Sequence, residues 1–238
     1  MPSHLVIFLA VALVAEVIGT ITGFGATTIL LPVASLMYPL PIAIAYSALF
    51  HFLGTLWRSA FFARRVNWRI ALTFGIPSLI LSYVGARLLT VINPQLVSYI
   101  LGVALIAYAA YSLVKHRLAL PRRTGYLIGG GMVTGFLAGL IGTAGAIRGA
   151  FLSAWKLPKE VYLGTGAVMG LGADVVRLVA YHQTGLLVAT WQLVAIFLIV
   201  ALGGTYIGAR LVKSAPAPLF TKIVLAGLIL AGVRFLIL

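Results

Sequence analysis

The chain reads as an all-α polytopic membrane protein with two inverted repeats, each a broken or re-entrant helical hairpin followed by three transmembrane helices. Three observations predict this. First, the 238 residues are 62% hydrophobic and only 8% charged, with a mean hydropathy of +1.14, whereas a soluble domain carries about 25% charged residues. Second, several apolar runs exceed the roughly 18 residues that a spanning helix needs. Third, the phrase Tyr83-Val84-Gly85-Ala86-Arg87-Leu88 returns as Tyr206-Ile207-Gly208-Ala209-Arg210-Leu211, and Trp68 returns as Trp191 at the same offset, 191 − 68 = 123. Two matches in register mark an internal duplication, the usual ground plan of membrane transporters.

The apolar segments run 5–22, 25–37, 42–63, 69–90 and 95–114, then 126–141, 146–157, 161–182, 190–212 and 217–238. The second segment of each half is short. Its twelve or thirteen residues give about 20 Å of helix, less than the roughly 30 Å hydrocarbon core. Each half therefore opens with a hairpin that returns to its own side, and three full spans follow. Residues 1–114 form the first transmembrane repeat, 115–125 a basic cytoplasmic linker and 126–238 the second repeat.

A hairpin plus three spans crosses an odd number of times, so the halves take opposite orientations. Charge agrees with this. There are 17 Lys and Arg against 3 Asp and Glu, a net charge of +14. With the 64–69 turn inside, Arg64, Arg65, Arg69, Lys156, Lys159, Lys213, Lys222 and the linker cations all fall near the cytoplasmic face, while the turns at 38–41, 91–94 and 183–189 hold no Lys or Arg. The N- and C-termini are expected outside. No basic n-region precedes the first apolar segment, so no cleavable signal is expected. The basic excess thus reads as topology, not nucleic-acid binding.

Two glycine-rich stretches mark the hairpin tips, Gly19–Gly25 and Gly139–Gly145, offset by 120. Glycine permits a tight turn, and irregular backbone at membrane depth is tolerated where it is buried or lines a watery cavity. Each half-helix after a tip presents free N–H groups and a positive dipole end, which suits an anion. The expected binding residues are Thr22, Gly23, Phe24, Gly25 and Thr28 from the first tip and Gly142, Thr143, Gly145 and Arg148 from the second. Arg148 lies one turn inside its short segment, where a charge is costly and therefore a functional candidate. Its planar guanidinium can grip two oxygens of an oxyanion. Its counterpart is Thr28, so the two hairpins are chemically unequal.

Asp174 and Arg177 are three apart on one helical face and can pair; either can serve the anion site. Glu16 is a proton-carrier candidate because it is an acid within a span, and His51 is a second proton-coupling candidate. Arg58 lies near the inner end of its segment and is expected to snorkel to the surface. A structural role is open for each of these residues.

No H-E-x-x-H, G-x-S-x-G or P-loop motif occurs, so no enzyme activity, metal or organic cofactor is expected. The absence of cysteine excludes disulfides and thiolate chemistry. An anion channel, and an intramembrane enzyme using His51 with Asp174 on lipid headgroups, are the competing readings.

The stretches Gly19–Pro32 and Gly139–Leu152, each followed by a Leu/Pro-containing turn and a long helix, resemble those of the sulfite exporter TauE/SafE family of bacterial membrane permeases. The resemblance covers nearly the whole chain. It departs where the family often has runs of glycine and this chain has Phe24-Gly25-Ala26 and Ala144-Gly145-Ala146. It implies export of small sulfur-containing or organic anions such as sulfite, sulfoacetate or other sulfonates across a bacterial inner membrane. The expected partners are that anion, the lipid bilayer and protons as a coupling ion, with a homodimer as one compatible assembly.

Overall fold

The computed structural model describes residues 3–23, 26–113, 122–153, 155–211 and 229–237. Among them the regular structure is entirely helical: α1 (Ser3–Thr22), α2 (Ala26–Ala34), α3 (Leu40–Phe61), α4 (Trp68–Leu88), α5 (Pro94–Leu113), α6 (Thr124–Ile141), α7 (Gly145–Ser153), α8 (Lys159–Gln183) and α9 (Trp191–Leu211). Residues 229–237 are helical as well. Helices α3, α4, α6, α8 and α9 are long and apolar enough to cross a membrane, and shorter apolar stretches occupy Val6–Thr22 and Pro94–Ala110. The protein is a multi-pass membrane protein. Residues 115–121 of the expected linker and most of the last apolar segment lie outside the described residues, as do Lys213 and Lys222; α6 already begins at Thr124.

The breaks between helices have local causes. Gly23 (φ 83°) ends α1 and Gly142 (φ 74°) closes α6, a left-handed conformation that costs a glycine little. Pro39 and Pro158 stand at the N-caps of α3 and α8, where a missing N–H is harmless. The Asn67 side chain accepts the Ile70 N–H at 3.1 Å and starts α4. Helices α2 and α7 have nine residues each, about 13 Å of rise, so both are half-helices.

The packing is built on small residues. Gly131, Gly135 and Gly139 form one stripe of α6 against Phe74, Ser78 and Ser82 of α4. A Cβ at Gly135 would stand 2.6 Å from the Ser78 Cα, and one at Gly139 2.6 Å from the Ala86 nitrogen, closer than any real contact. The partners climb together, so α4 and α6 run parallel. On the other side, Gly204 and Gly208 of α9 lie against Glu16 and Thr20 of α1, and these helices also run parallel. Such seams bring backbones close where lipid offers no hydrophobic drive between helices. The duplicated phrase now has a reason: Gly85 faces the Phe136 backbone of α6 as Gly208 faces the Val17 backbone of α1.

Helices α3 and α8 cross in the centre. Phe62, at the end of α3, meets Gly164 near the start of α8, while His51 meets Asp174 farther along. They are therefore antiparallel. The pairing α4 on α6, α3 on α8 and α9 on α1 maps onto itself when the halves are exchanged. The main apolar core joins Phe8, Phe50 and Phe197, with the Phe8 and Phe197 rings stacked at 5.4 Å.

Candidate functional site

The two hairpin tips converge on the α3–α8 crossing. Thr28, in the first turn of α2, shares a 2.8 Å hydroxyl–hydroxyl hydrogen bond with Thr143 at the other tip. Arg148, in the first turn of α7, takes the matching place beside Gly23. Its side chain is 7% exposed. Among the described residues, no hydrogen-bond acceptor or carboxylate stands at pairing distance from its guanidinium.

Arg148 lines two cavities. One is bounded by Thr20, Gly23, Thr55, Arg58, Phe62 and Arg148, with α8 residues Leu163 and Ala167. The other is lined by Thr27, His51, Ser78, Thr134, Gly142, Gly145, Arg148, Asp174 and Arg177, among others, and holds about 20 Å³ of free space, enough for a water molecule. Gly145 at the start of α7 contributes to its wall. A half-helix N-terminus and a buried unpartnered guanidinium therefore face the same small polar space, the arrangement that stabilises a negative charge. A third, apolar cavity lies behind the Thr28–Thr143 bond, against Leu105, Tyr108 and Ile141.

Asp174 sits at the centre of a buried chain. Its Oδ2 takes His51 Nδ1 at 2.7 Å and its Oδ1 takes Arg177 Nη2 at 2.7 Å. His51 lies mid-helix, and the distance in sequence to Asp174 is 123, the offset of the duplication, so the two occupy equivalent places on α3 and α8. Arg177 also donates from Nη1 to the Ala138 and Gly142 carbonyls at 3.1 and 2.9 Å, meeting the negative end of α6.

Glu16 stands apart from these cavities. It is fully buried; Oε1 accepts from the Thr205 hydroxyl at 2.9 Å and the Thr20 hydroxyl at 3.4 Å, and it forms an ion pair with Arg58, whose Nε stands 3.3 Å away without hydrogen-bond geometry. Its other oxygen has no partner. Arg58 does not reach the surface as expected. It is 4% exposed, pairs with Glu16 and donates to the Gly19 carbonyl at 3.2 Å and to Thr55 at 3.0 Å. Helix α1 packs over it, so the carboxylate of α1 replaces water as its partner.

Of the residues expected at the site, Gly23, Gly142, Gly145, Arg148, Asp174, Arg177 and His51 line the two polar cavities. Thr28 and Thr143 form the contact between the tips. Thr22 is exposed and donates back to the Ile18 carbonyl at 2.8 Å. Phe24 and Gly25 lie outside the described residues. Thr27, Ser78 and Thr134 were not foreseen; single hydroxyls within glycine-rich spans carry little signal. Among the described residues, no cluster of three His, Asp or Glu could hold a metal ion.

The comparisons with known proteins agree with this architecture. A curated protein of Methanocaldococcus jannaschii, described as a probable membrane transporter, is 35% identical over 89 residues. That match covers 35% of this chain, and the chain spans only 33% of that relative's length. No solved structure matches. The profile of the sulfite exporter TauE/SafE family matches residues 8–235, and with nearly the whole sequence covered, the chain belongs to this family of membrane transporters.

Proposed function

We propose that the protein is a secondary transporter, acting as an exporter, for small organic or sulfur-containing anions such as sulfite, sulfoacetate or other sulfonates. The observation that carries this reading is Arg148: buried, without a counter-ion among the described residues, at the start of the half-helix α7 and in the wall of both polar cavities. A fixed cation beside a positive dipole end is costly unless an anion joins it. The tip backbone supplies further donors, with Arg177 oriented by Asp174.

The halves are proposed to be inverted repeats; the antiparallel crossing of α3 and α8, at equivalent positions, supports this. Alternating access moves one set of helices against the other around the tips. Of the two titratable candidates, His51 lines the anion cavity and Glu16 does not, so the proposed coupling proton resides on His51. The proposed location is a bacterial inner membrane, with both termini outside.

The test is a graded pair of variants. Arg148→Lys keeps the charge but loses the planar fork, and should weaken anion binding by roughly 1–2 kcal/mol. Arg148→Ala should nearly abolish it in protein that still folds. Poor insertion together with normal anion affinity in the surviving protein would assign Arg148 a purely structural role.

A further inference from the structure

Besides the phenol of Tyr181, which stays neutral, six ionisable side chains are buried in the described interior: Glu16, His51, Arg58, Arg148, Asp174 and Arg177. Arg58 is neutralised by Glu16 at 3.3 Å, and Arg177 by Asp174 at 2.7 Å. Three arginines against two carboxylates leave one positive charge when His51 is neutral. That charge belongs to Arg148. His51 donates or shares a proton with Asp174 through Nδ1 and adds no charge in its neutral form.

We infer that the site selects by charge, accepting anions with a single negative charge and rejecting dianions of the same shape. This rests on the reading of Arg148 as the anion site and narrows it: of the anions proposed above, monosulfonates and hydrogensulfite remain, while the dianions sulfoacetate and fully ionised sulfite drop out, as does sulfate. The cause is the low dielectric of the interior. One negative charge cancels the free guanidinium. A second would stand uncompensated in a space with no other free cation among the described residues, and it would repel Asp174 across the same cavity. Each paired arginine already balances a buried carboxylate, so Arg177 can add a hydrogen bond to the anion but no net positive charge.

The experiment uses the full chain in detergent at pH 8, above the ordinary histidine range. Two probes are titrated, methanesulfonate with one negative charge and sulfate with two, at constant ionic strength set with gluconate. Both present tetrahedral sulfur oxygens. The melting temperature reports binding to the folded state. Methanesulfonate should act at a concentration at least about tenfold lower than sulfate, and Arg148→Gln should remove its effect. If sulfate stabilises equally or better and Arg148→Gln removes both effects, the charge rule is overturned while the anion site stands. If neither anion acts up to about 100 mM, or both act undiminished on Arg148→Gln, the site itself is wrong and the charge rule falls with it. Should Arg148→Gln fail to fold, the comparison of the two probes on the unmodified protein still decides the charge rule.

Discussion

Arg58 offers the sharpest test of the buried electrostatics. Snorkelling and burial predict opposite results for Arg58→Met. In the structure, this change leaves Glu16 fully buried with two hydroxyls and no counter-ion, and it removes a donor to the Gly19 carbonyl. Breaking a buried pair by removing one partner costs about 3–5 kcal/mol, while the Gly19 carbonyl keeps its hydrogen bond from the Gly23 N–H at 2.9 Å and adds little. Glu16→Gln should cost a comparable amount, because it leaves Arg58 as the uncompensated buried charge even though the amide oxygen can still accept from Thr205. The double variant Glu16→Gln/Arg58→Met removes both charges and should recover to within about 1–2 kcal/mol of the unmodified protein. Reversible unfolding in mixed micelles, followed by circular dichroism, measures all four proteins. A loss below about 0.5 kcal/mol for Arg58→Met, or a double variant equal to the sum of the singles, would refute the pairing.

The glycine seams make a second prediction. Gly139→Val drives a side chain into the Ala86 backbone 2.6 Å from its Cβ and should abolish folding, whereas Gly129→Val, which meets nothing within 4 Å, should be tolerated; yield of monodisperse protein separates them. The exposed Arg65–Glu160 pair, 3.3 Å apart, should contribute less than about 1 kcal/mol, so Glu160→Gln should leave the melting temperature nearly unchanged. Topology is testable with single cysteines. Those at Tyr38, Asn93 and Gly185 should react with an impermeant reagent from outside and one at Val66 should not; labelling of all four from one side would sink the inverted arrangement.

Hydropathy located the helices closely because lipid imposes one demand on every span. The expected segment 42–63 is the helix Leu40–Phe61, and 161–182 is Lys159–Gln183. The half-helices were legible from their length and the glycines before them. Partners across the fold were not. The stripe Gly131, Gly135 and Gly139 announces a close neighbour, but nothing in its period says that α4 is that neighbour. Arg58 was misplaced for the same reason. Its depth along α3 is readable, but the covering helix α1 and its Glu16 lie 42 residues upstream. His51 and Asp174 were each visible as buried polar residues. Their separation of 123 equals the offset of the repeated phrase, but nothing in the sequence says that α3 and α8 cross at that depth.

Matching positions of the two proposed repeats carry unequal chemistry, and the inequality follows a charge rule. Arg58 and Tyr181, 123 apart, donate to the carbonyls of Gly19 and Gly139, which are 120 apart. Both hold the end of the first arm of a hairpin. The arginine brings a charge, and α1 answers with Glu16. The tyrosine brings none, and the residue that α6 places opposite Glu16 in the repeat is Phe136. The same exchange at Thr28 and Arg148 runs the other way. The hydroxyl of Thr28 is satisfied by Thr143, while the guanidinium of Arg148 meets no carboxylate among the described residues. A buried cation left unbalanced at one of two related positions costs stability in the empty protein. An anion bound at Arg148 would supply to it what Glu16 supplies to Arg58, and would do so only while it is present.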